Sequence, residues 1–227
     1  MKTLPLYALS HAVLVLALCS ALAASSERII FPFPADGFSG SYPTGGLISD
    51  AAGNLYGVTE VGGAFKNGAV FKLSLENGVW TETVLYSFFG AAGDGGGPAS
   101  ALLLDGGNLY GTTAGGGASA GSYGTVFKLA PDGNGGWTET ILHSFNGNDG
   151  GGPMDAPLVS DAQGNLYGVT HGGCVFGYCS NGSAFELSPK TTGGWSFKVL
   201  HSFGHAGLPD GGLILDKAGN LYGTTTY

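Results

Sequence analysis

One heptapeptide fixes most of what this chain can become. "GNLYGVT" begins at Gly53, "GNLYGTT" at Gly107, "GNLYGVT" again at Gly164 and "GNLYGTT" at Gly219, at intervals of 54, 57 and 55 residues. Other segments keep the same beat. "GAVFKLS" (68–74), "GTVFKLA" (124–130) and "GSAFELS" (182–188) each follow a heptapeptide, and "WTETVLYSF" (80–88), "WTETILHSF" (137–145) and "WSFKVLHSF" (195–203) come next. "DGGGPASALLLD" (94–105), "DGGGPMDAPLVSD" (149–161) and "PDGGLILD" (209–216) lead into the following copy. Self-similarity at a fixed period of roughly 55 residues means like units in tandem, each burying its apolar surface against its neighbours.

Each unit reads as four strands, exemplified by "ALLLD", "NLYGTT", "TVFKL" and "WTETILHSF", with turn signals such as "DAQGN", "PDGNGG" and "NDGGGP" between them. In "TVFKL", Val126 and Lys128 alternate with Phe127 and Leu129, the period of a strand. Glycine supplies 44 of the 227 residues. Each glycine inside a helix costs roughly 1 kcal/mol relative to alanine, so the composition excludes a helical fold. With 43% apolar and 11% charged residues the chain is not a disordered one, and it has no G-x-y period of collagen.

The expected fold class is therefore all-β: a β-propeller built from four-stranded antiparallel blades of about 55 residues, with a β-helix or solenoid as the alternative. Blades are expected at about 44–88, 98–145 and 153–203, with a partial blade at 208–227. "RIIFPFPADGFSG" (28–40) aligns with "VLYSFFGAAGDGG" and predicts an orphan outer strand over 28–34. Three full blades plus partial ones describe an incomplete propeller, read as part of a longer one. Its free edge at 220–226 invites self-association. Closure through oligomerisation and a compact four-bladed ring are the alternatives.

Within "D-x-x-G-N-L-Y-G", Asp50, Asp161 and Asp216 are placed to accept backbone N–H groups across a turn, while Gly53, Gly164 and Gly219 take positive φ. Leu55, Leu109, Leu166 and Leu221 should point into one layer between blades. Tyr56, Tyr110, Tyr167 and Tyr222 should lie on the opposite pleat face with their hydroxyls paired. Asn54, Asn108, Asn165 and Asn220 recur in every unit and read as structural. Gly57 and Gly111 are expected to let an adjacent blade approach closely.

Residues 1–24 have the form of a secretory signal peptide: Lys2, an apolar run through 14–18, and the small residues of "ALAAS" (21–25), with cleavage near Ala23 or Ala24. An uncleaved anchor is the alternative. Lipid attachment at Cys19 is disfavoured because Leu18 is bulky where a lipoprotein signal wants a small residue. No later stretch approaches the ~20 apolar residues of a spanning helix. Net charge is −8, and the leader removes only Lys2, so the exported chain is acidic. That excludes nucleic acid and anionic lipid as partners held by long-range attraction. Cys174 and Cys179 remain; in an oxidising compartment a local disulfide is expected, contributing on the order of 2 kcal/mol. Two thiols alone make a poor metal set.

On one face of such a propeller, the loops after strand four would gather Asp94, Asp149 and Asp210, with His171 from the loop after the third heptapeptide. These are the ligand-binding candidates. A ring of carboxylates and backbone carbonyls would suit Ca²⁺, and the plainer reading is that Asp and Gly make the turn. No catalytic residue is assigned. The chain has no G-x-S-x-G elbow and no H-E-x-x-H. His143 and His201 occupy the position of Tyr86 and read as packing, while His171 and His205 have no partner at a recognisable spacing.

The string "GNLYGTT…GG…GTVFKL…W…LHSF…DGGGP" closely resembles the GloVer (Gloeo/Verruco) extracellular tandem repeat over residues 29–227. The "D-x-x-G-N-L-Y" element alone also resembles blades of NHL-type and lactonase-type propellers. The resemblance implies exported bacterial proteins, often with separate surface-anchoring segments, and implies no established catalytic residues. The expected function is a secreted or cell-surface, non-catalytic scaffold that binds an extracellular protein or glycan. A propeller hydrolase or lactonase with a metal near the axis, or a purely structural surface repeat, are the alternatives.

Overall fold

The computed structural model describes residues 27–33, 40–91, 93–118, 121–153, 156–172, 174–175, 178–179, 182–203, 207–209 and 211–226, with backbone alone at 174–175 and 178–179. The expected signal peptide, 1–24, lies outside them. The chain divides into two units, Met1–Pro32 and Phe33–Tyr227. Of the first, Glu27–Pro32 is described and forms neither strand nor helix. The strand expected over 28–34 is thus not formed across 28–33, and residue 34 lies outside the described residues. Pro32 has no N–H to give to a ladder.

In the second unit each repeat builds its own antiparallel sheet. The first contains β1 (Ser41–Ser49), β2 (Leu55–Val61), β3 (Ala69–Glu76) and β4 (Val79–Ser87), paired in chain order. The second contains β5 (Gly95–Pro98), β6 (Leu103–Asp105), β7 (Asn108–Gly116), β8 (Thr125–Pro131) and β9 (Trp137–Ser144), with β5 and β6 both pairing β7. In the third, β10 (Val159–Ser160) and β11 (Leu166–Thr170) lead through the ribbon β12 (Cys174–Val175) and β13 (Tyr178–Cys179) to β14 (Ser183–Pro189) and β15 (Trp195–Ser202). The fourth holds β16 (Leu208–Pro209), β17 (Ile214–Leu215), β18 (Leu221–Tyr222) and β19 (Thr225–Thr226), with β16 paired to β19 and β17 to β18. No described residue is helical.

The first strand of the second unit departs from expectation. "DGGGP" was expected as a loop ahead of "ALLLD", but Gly95–Pro98 already pairs with β7, and the chain leaves the sheet before rejoining as β6. Glycine is required there because a Cβ at Gly95 would lie 2.5 Å from Thr113 Cγ2.

A β-bulge recurs at one place in each complete sheet. Val70 faces Tyr86 while Phe71 faces Val84, and the same shift falls between Val126 and Phe127 and between Ala184 and Phe185. The extra residue is Leu85, Leu142 or Leu200. It reverses the phase of strand four, so Tyr86 joins Val70 on one face while Glu82 and Val84 share the other with Leu73 and Phe71.

Those two faces are what the units bury against each other. Tyr56, Val58, Val70 and Phe88 of the first sheet form one cluster with Leu102, Leu109, Phe127 and Leu129 of the second. Tyr110, Val126 and Phe145 of the second meet Leu158, Leu166, Phe185 and Leu187 of the third. Val169 and Ala184 of the third meet Leu213 of the fourth, with Tyr167, Phe203 and Leu221 packed around them. Leucines and tyrosines of the heptapeptide therefore serve opposite faces, as their alternation required.

At each complete seam two phenylalanines meet edge to face, Phe88 with Phe127 at 5.1 Å and 64° and Phe145 with Phe185 at 5.4 Å and 65°. Phe33 meets Phe71 in the same way, at 4.9 Å and 67°. So Phe33 takes at Phe71 the place that Phe88 and Phe145 take at the later seams, one position off the alignment of 28–40 with "VLYSFFGAAGDGG", which set Pro32 against Phe88. Gly57 and Gly111 have a different role from the one expected, and Gly168 shares it. A Cβ there would lie 2.6 Å from the ring tip of Phe71, Phe127 or Phe185, on the neighbouring strand of the same sheet. The glycine seats its own unit's ring rather than the next unit.

A second contact ties the units. A Cβ on Gly68, Gly124 or Gly182 would meet the ring of Pro98, Pro153 or Pro209 of the following unit, at 2.5, 3.0 and 2.5 Å from Cδ. Gly97 N–H donates to Asn67 O at 2.8 Å and Gly152 N–H to Tyr123 O at 2.9 Å, so backbone hydrogen bonds cross the same joints.

Buried hydroxyls show one gap in the pattern. Thr113 pairs with Thr125 at 2.8 Å and Thr170 with Ser183 at 2.9 Å. In the first sheet the corresponding pair is Thr59 and Ala69, and Thr59 Oγ1 is buried without a hydrogen-bond partner among the described residues. Ala69→Ser should restore the pair and raise unfolding free energy by about 1 kcal/mol, read from urea denaturation. Phe127→Ala should lower it by about 3–5 kcal/mol, because that ring fills both its own sheet and the first seam.

Candidate functional site

Polar side chains fall into two groups, those that hold a unit's own turn and those at the seams. In the first turn, Asp50 Oδ1 accepts the N–H groups of Ala52 and Asn54, both at 2.9 Å, while Oδ2 accepts Asn54 Nδ2 at 2.7 Å and Tyr56 Oη at 2.9 Å. Asp161 with Gln163, Asn165 and Tyr167 repeats it, and so does Asp216 with Ala218, Asn220 and Tyr222. Four donors fill the roughly four acceptor positions of a carboxylate. The Asn54 amide, then the Tyr56 hydroxyl and the backbone, hold Asp50 down to about 2. Asn220 leads the same effect at Asp216, also to about 2. Burial, and then the Asp50 carboxylate, push Tyr56 up to about 12. The asparagines and tyrosines of the heptapeptide thus serve the turn.

"DGGNLY" is one residue shorter and solves the turn differently. Gly106 and Gly107, at φ 55° and 78°, close a two-residue hairpin between Asp105 and Asn108. Here Lys128 Nζ lies 5.9 Å from the Tyr110 ring centroid, a cation–π contact on the same face.

The seams carry the unusual chemistry. At the first, Tyr86 Oη lies 3.2 Å from both Asp94 Oδ1 and Glu139 Oε2. Tyr86 and Asp94 lie eight residues apart in the chain, and Glu139 comes from the next unit. A phenol has one hydrogen to donate, so two ionised carboxylates leave one contact unmet. Burial, and then the Asp94 charge, raise Glu139 to about 8, and a protonated Glu139 supplies the missing hydrogen. At the second seam the equivalent trio is His143, Asp149 and Phe197. His143 Nε2 lies 3.0 Å from Asp149 Oδ2, and its ring stacks on Phe197 at 3.7 Å with the planes 3° apart. Burial lowers the His143 pKa, against the opposing pull of Asp149.

The expected site residues divide accordingly. Asp94 closes its own loop, accepting Gly95 N–H at 2.7 Å and the N–H of Phe89. Asp149 does the same with Asn146, accepting its N–H and its Nδ2, each at 3.0 Å. Both aspartates anchor a seam aromatic. His171 donates its backbone N–H to Gly152 O at 3.4 Å, and its buried Nε2 has no hydrogen-bond partner among the described residues. Asp210 and His205 lie outside the described residues. The backbone register sets Cys174 opposite Cys179 across the β12–β13 ribbon. No cluster of three or more His, Cys, Asp or Glu suited to a metal occurs among the described residues. No helix among them is long and apolar enough to cross a membrane.

Glu139 was not singled out in the sequence, though a signal was there. The residue two after the strand-four tryptophan changes from Glu139 to Phe197 where the aromatic one unit earlier changes from Tyr86 to His143.

The two seams titrate in opposite senses. A raised pKa at Glu139 means the folded chain holds a proton the unfolded chain has lost, so that stability falls as pH rises from about 4.5 towards about 8. A lowered pKa at His143 means stability is complete above its ordinary 6.5 and is lost as pH falls through the folded value. Glu139→Gln should remove the first dependence, and His143→Phe the second, in thermal melts taken from pH 4 to 9.

Comparison with known proteins gives a family and little else. The profile of the Gloeobacter/Verrucomicrobia repeat matches residues 21–227. No curated protein sequence matches the chain. Among solved structures, the crystal structure of a protein of unknown function from Dyadobacter fermentans DSM 18053 is 11% identical with a TM-score of 0.39. The alignment covers 79% of this chain and 65% of that one, less than two thirds of its length.

Proposed function

The chain belongs to the Gloeobacter/Verrucomicrobia repeat family, and from that premise we propose that it is an exported, non-catalytic scaffold whose repeat units are the blades of a β-propeller. The observation that carries the reading is the use made of the polar groups. Asp50, Asp161 and Asp216 are saturated by their own turns. Asp94, Asp149 and His143 brace seams. A carboxylate whose lone pairs are filled by N–H and O–H donors is a poor ligand or base, so these aspartates are spent on architecture. What remains for recognition is the loop surface between units, displayed to an extracellular protein or glycan.

The leader at 1–24 supports export, and the Cys174–Cys179 register favours a disulfide in that compartment. The purified chain should melt at the same temperature with and without a chelator, and should hydrolyse no lactone or ester in Ca²⁺ or Zn²⁺. A chelator-sensitive melt together with metal-dependent turnover would replace this reading with the metal-dependent hydrolase. N-terminal sequencing of exported material, beginning at Ala24 or Ser25, tests the leader separately.

A further inference from the structure

Two phenylalanines of the first unit are held out into solvent. Phe65 lies in the β2–β3 loop and Phe89 just after β4. They meet edge to face at 5.0 Å and 88°, and each is half exposed, at 50% and 55%. One side chain fastens both backbones: Asn67 Nδ2 donates to Phe65 O at 3.2 Å and to Phe89 O at 2.7 Å. Around them Ala64 N–H donates to Ser87 Oγ at 3.2 Å, Lys66 N–H to Gly63 O at 3.2 Å, and Phe89 N–H to Asp94 Oδ2. The following unit is already seated against this loop, with Gly97 N–H on Asn67 O at 2.8 Å and Pro98 against Gly68. The rings are therefore exposed at a completed joint, not on the face of a bare unit.

The second unit builds the same loop without them. Counted back from Gly68 and Gly124, Phe65 corresponds to Gly121 and Lys66 to Ser122; counted on from Phe88 and Phe145, Phe89 corresponds to Asn146. The backbone nevertheless repeats. Lys66 and Ser122 are both left-handed, at φ 63° and 53°, and the N–H groups of Gly90 and Gly147 donate to Gly95 O and Gly150 O, each at 3.0 Å. Folding of the loop thus requires neither ring, and the two are absent together, as parts of one site would be.

Size, shape and charge say what fits. At half exposure two rings offer on the order of 200 Å², far below the roughly 800 Å² that one partner gives a specific protein interface. Among the described residues, no third large apolar side chain is exposed in the loops 62–68 and 88–97. A net charge of −8 disfavours phosphate-bearing and acidic ligands, nucleobases in a polynucleotide among them. Rings at 88° form a corner, so a flat body lying on one presents its edge to the other. A neutral pyranose with equatorial hydroxyls has that shape: its faces are patches of axial C–H bonds, and its rim is polar. We propose that Phe65 and Phe89 form a carbohydrate subsite that seats one pyranose of a neutral β-linked hexose oligosaccharide. Stacking on the rings supplies the contact, and Lys66, exposed beside Phe65, is placed to donate to the hydroxyl rim. Because Asn67 holds the corner before the sugar arrives, little ordering is left to binding. The proposal deepens the scaffold reading and rests on its placing recognition at the loop surface.

The test titrates the full chain with cellohexaose and with chitohexaose in calorimetry. The expected result is saturable binding of at least one of them. Phe65→Ala and Phe89→Ala should each weaken it at least about tenfold, Phe89→Tyr should keep it, and all three variants should melt with the parent. Saturating the aromatic protons should transfer magnetisation to the sugar's axial ring protons in the parent and not in the alanine variants. Absence of binding at millimolar oligosaccharide overturns the proposal, and so does binding indifferent to both alanine substitutions. A lower melting temperature in the alanine variants would assign the rings to stability, and self-association of the parent that these variants abolish would assign them to contact between copies; either result overturns it. Metal-dependent turnover would end the scaffold reading without changing this isotherm, and lost binding would leave the scaffold standing, so the two fail separately.

Discussion

Everything else in the molecule depends on one aromatic contact repeated along the chain. A four-stranded sheet of this size has two apolar faces and no means of covering either by itself. The phenylalanine that ends strand four solves this by reaching into the next unit and meeting the strand-three phenylalanine edge to face. Each fully buried ring is worth roughly 1.5–3 kcal/mol, and the aromatic pairing about 0.5–1.5 kcal/mol more. Stability is therefore carried by nearest neighbours, as in other repeat architectures. The surrounding features adapt to that contact. A glycine opposite the strand-three ring lets it lie flat on strand two, and the bulge at Leu85, Leu142 and Leu200 turns strand four so that its aromatic end faces forward. The glycine–proline joint holds the units at one spacing.

The repeat and its period were legible in the sequence, and with them the antiparallel pairing and the opposed faces of Leu and Tyr. The turn chemistry of "D-x-x-G-N-L-Y" was legible too, because it is local: Asp50, Asn54 and Tyr56 sit within six residues of one another. What was not legible depended on contacts between units. Gly57 and Gly111 were assigned to the approach of a neighbouring blade, yet they seat a ring from their own sheet, since spacing alone does not say which strand supplies the filler. "DGGGP" read as loop because glycine and proline signal turns, whereas close approach to Thr113 forces glycine into a paired strand. Residues 28–33 form no strand, and Phe33 rather than the aligned Pro32 meets Phe71, because Pro32 blocks the ladder but not the packing of Phe33.

The candidate site shows the same division. Asp94 and Asp149 were found by their position in glycine-rich loops, and each does act on its loop. The groups on the far side of the seam were hidden, because Glu139 and Phe197 lie more than forty residues further along the chain. Tyr86 with Glu139 and His143 with Phe197 are two solutions to one geometric problem, a polar aromatic facing the outer strand of the next sheet. A hydroxyl suits a carboxyl partner; an imidazole held by Asp149 suits a flat ring. Exchanging one partner alone would set His143 against a carboxylate or strand Tyr86 on an apolar ring.

That pairing also distributes sensitivity to pH. The first seam holds a proton it would rather keep, and the second holds an imidazole it would rather leave neutral. As pH rises towards the ordinary histidine value of 6.5, the Glu139 contribution declines while the His143 contribution grows. Joined in one stack, the two slopes oppose each other over that window. Two copies of either seam would instead tilt the whole array towards acid or towards neutrality. The difference between neighbouring repeats is thus coupled to their order along the chain, because each unit's strand-four residues answer to the unit before it as well as to its own loop.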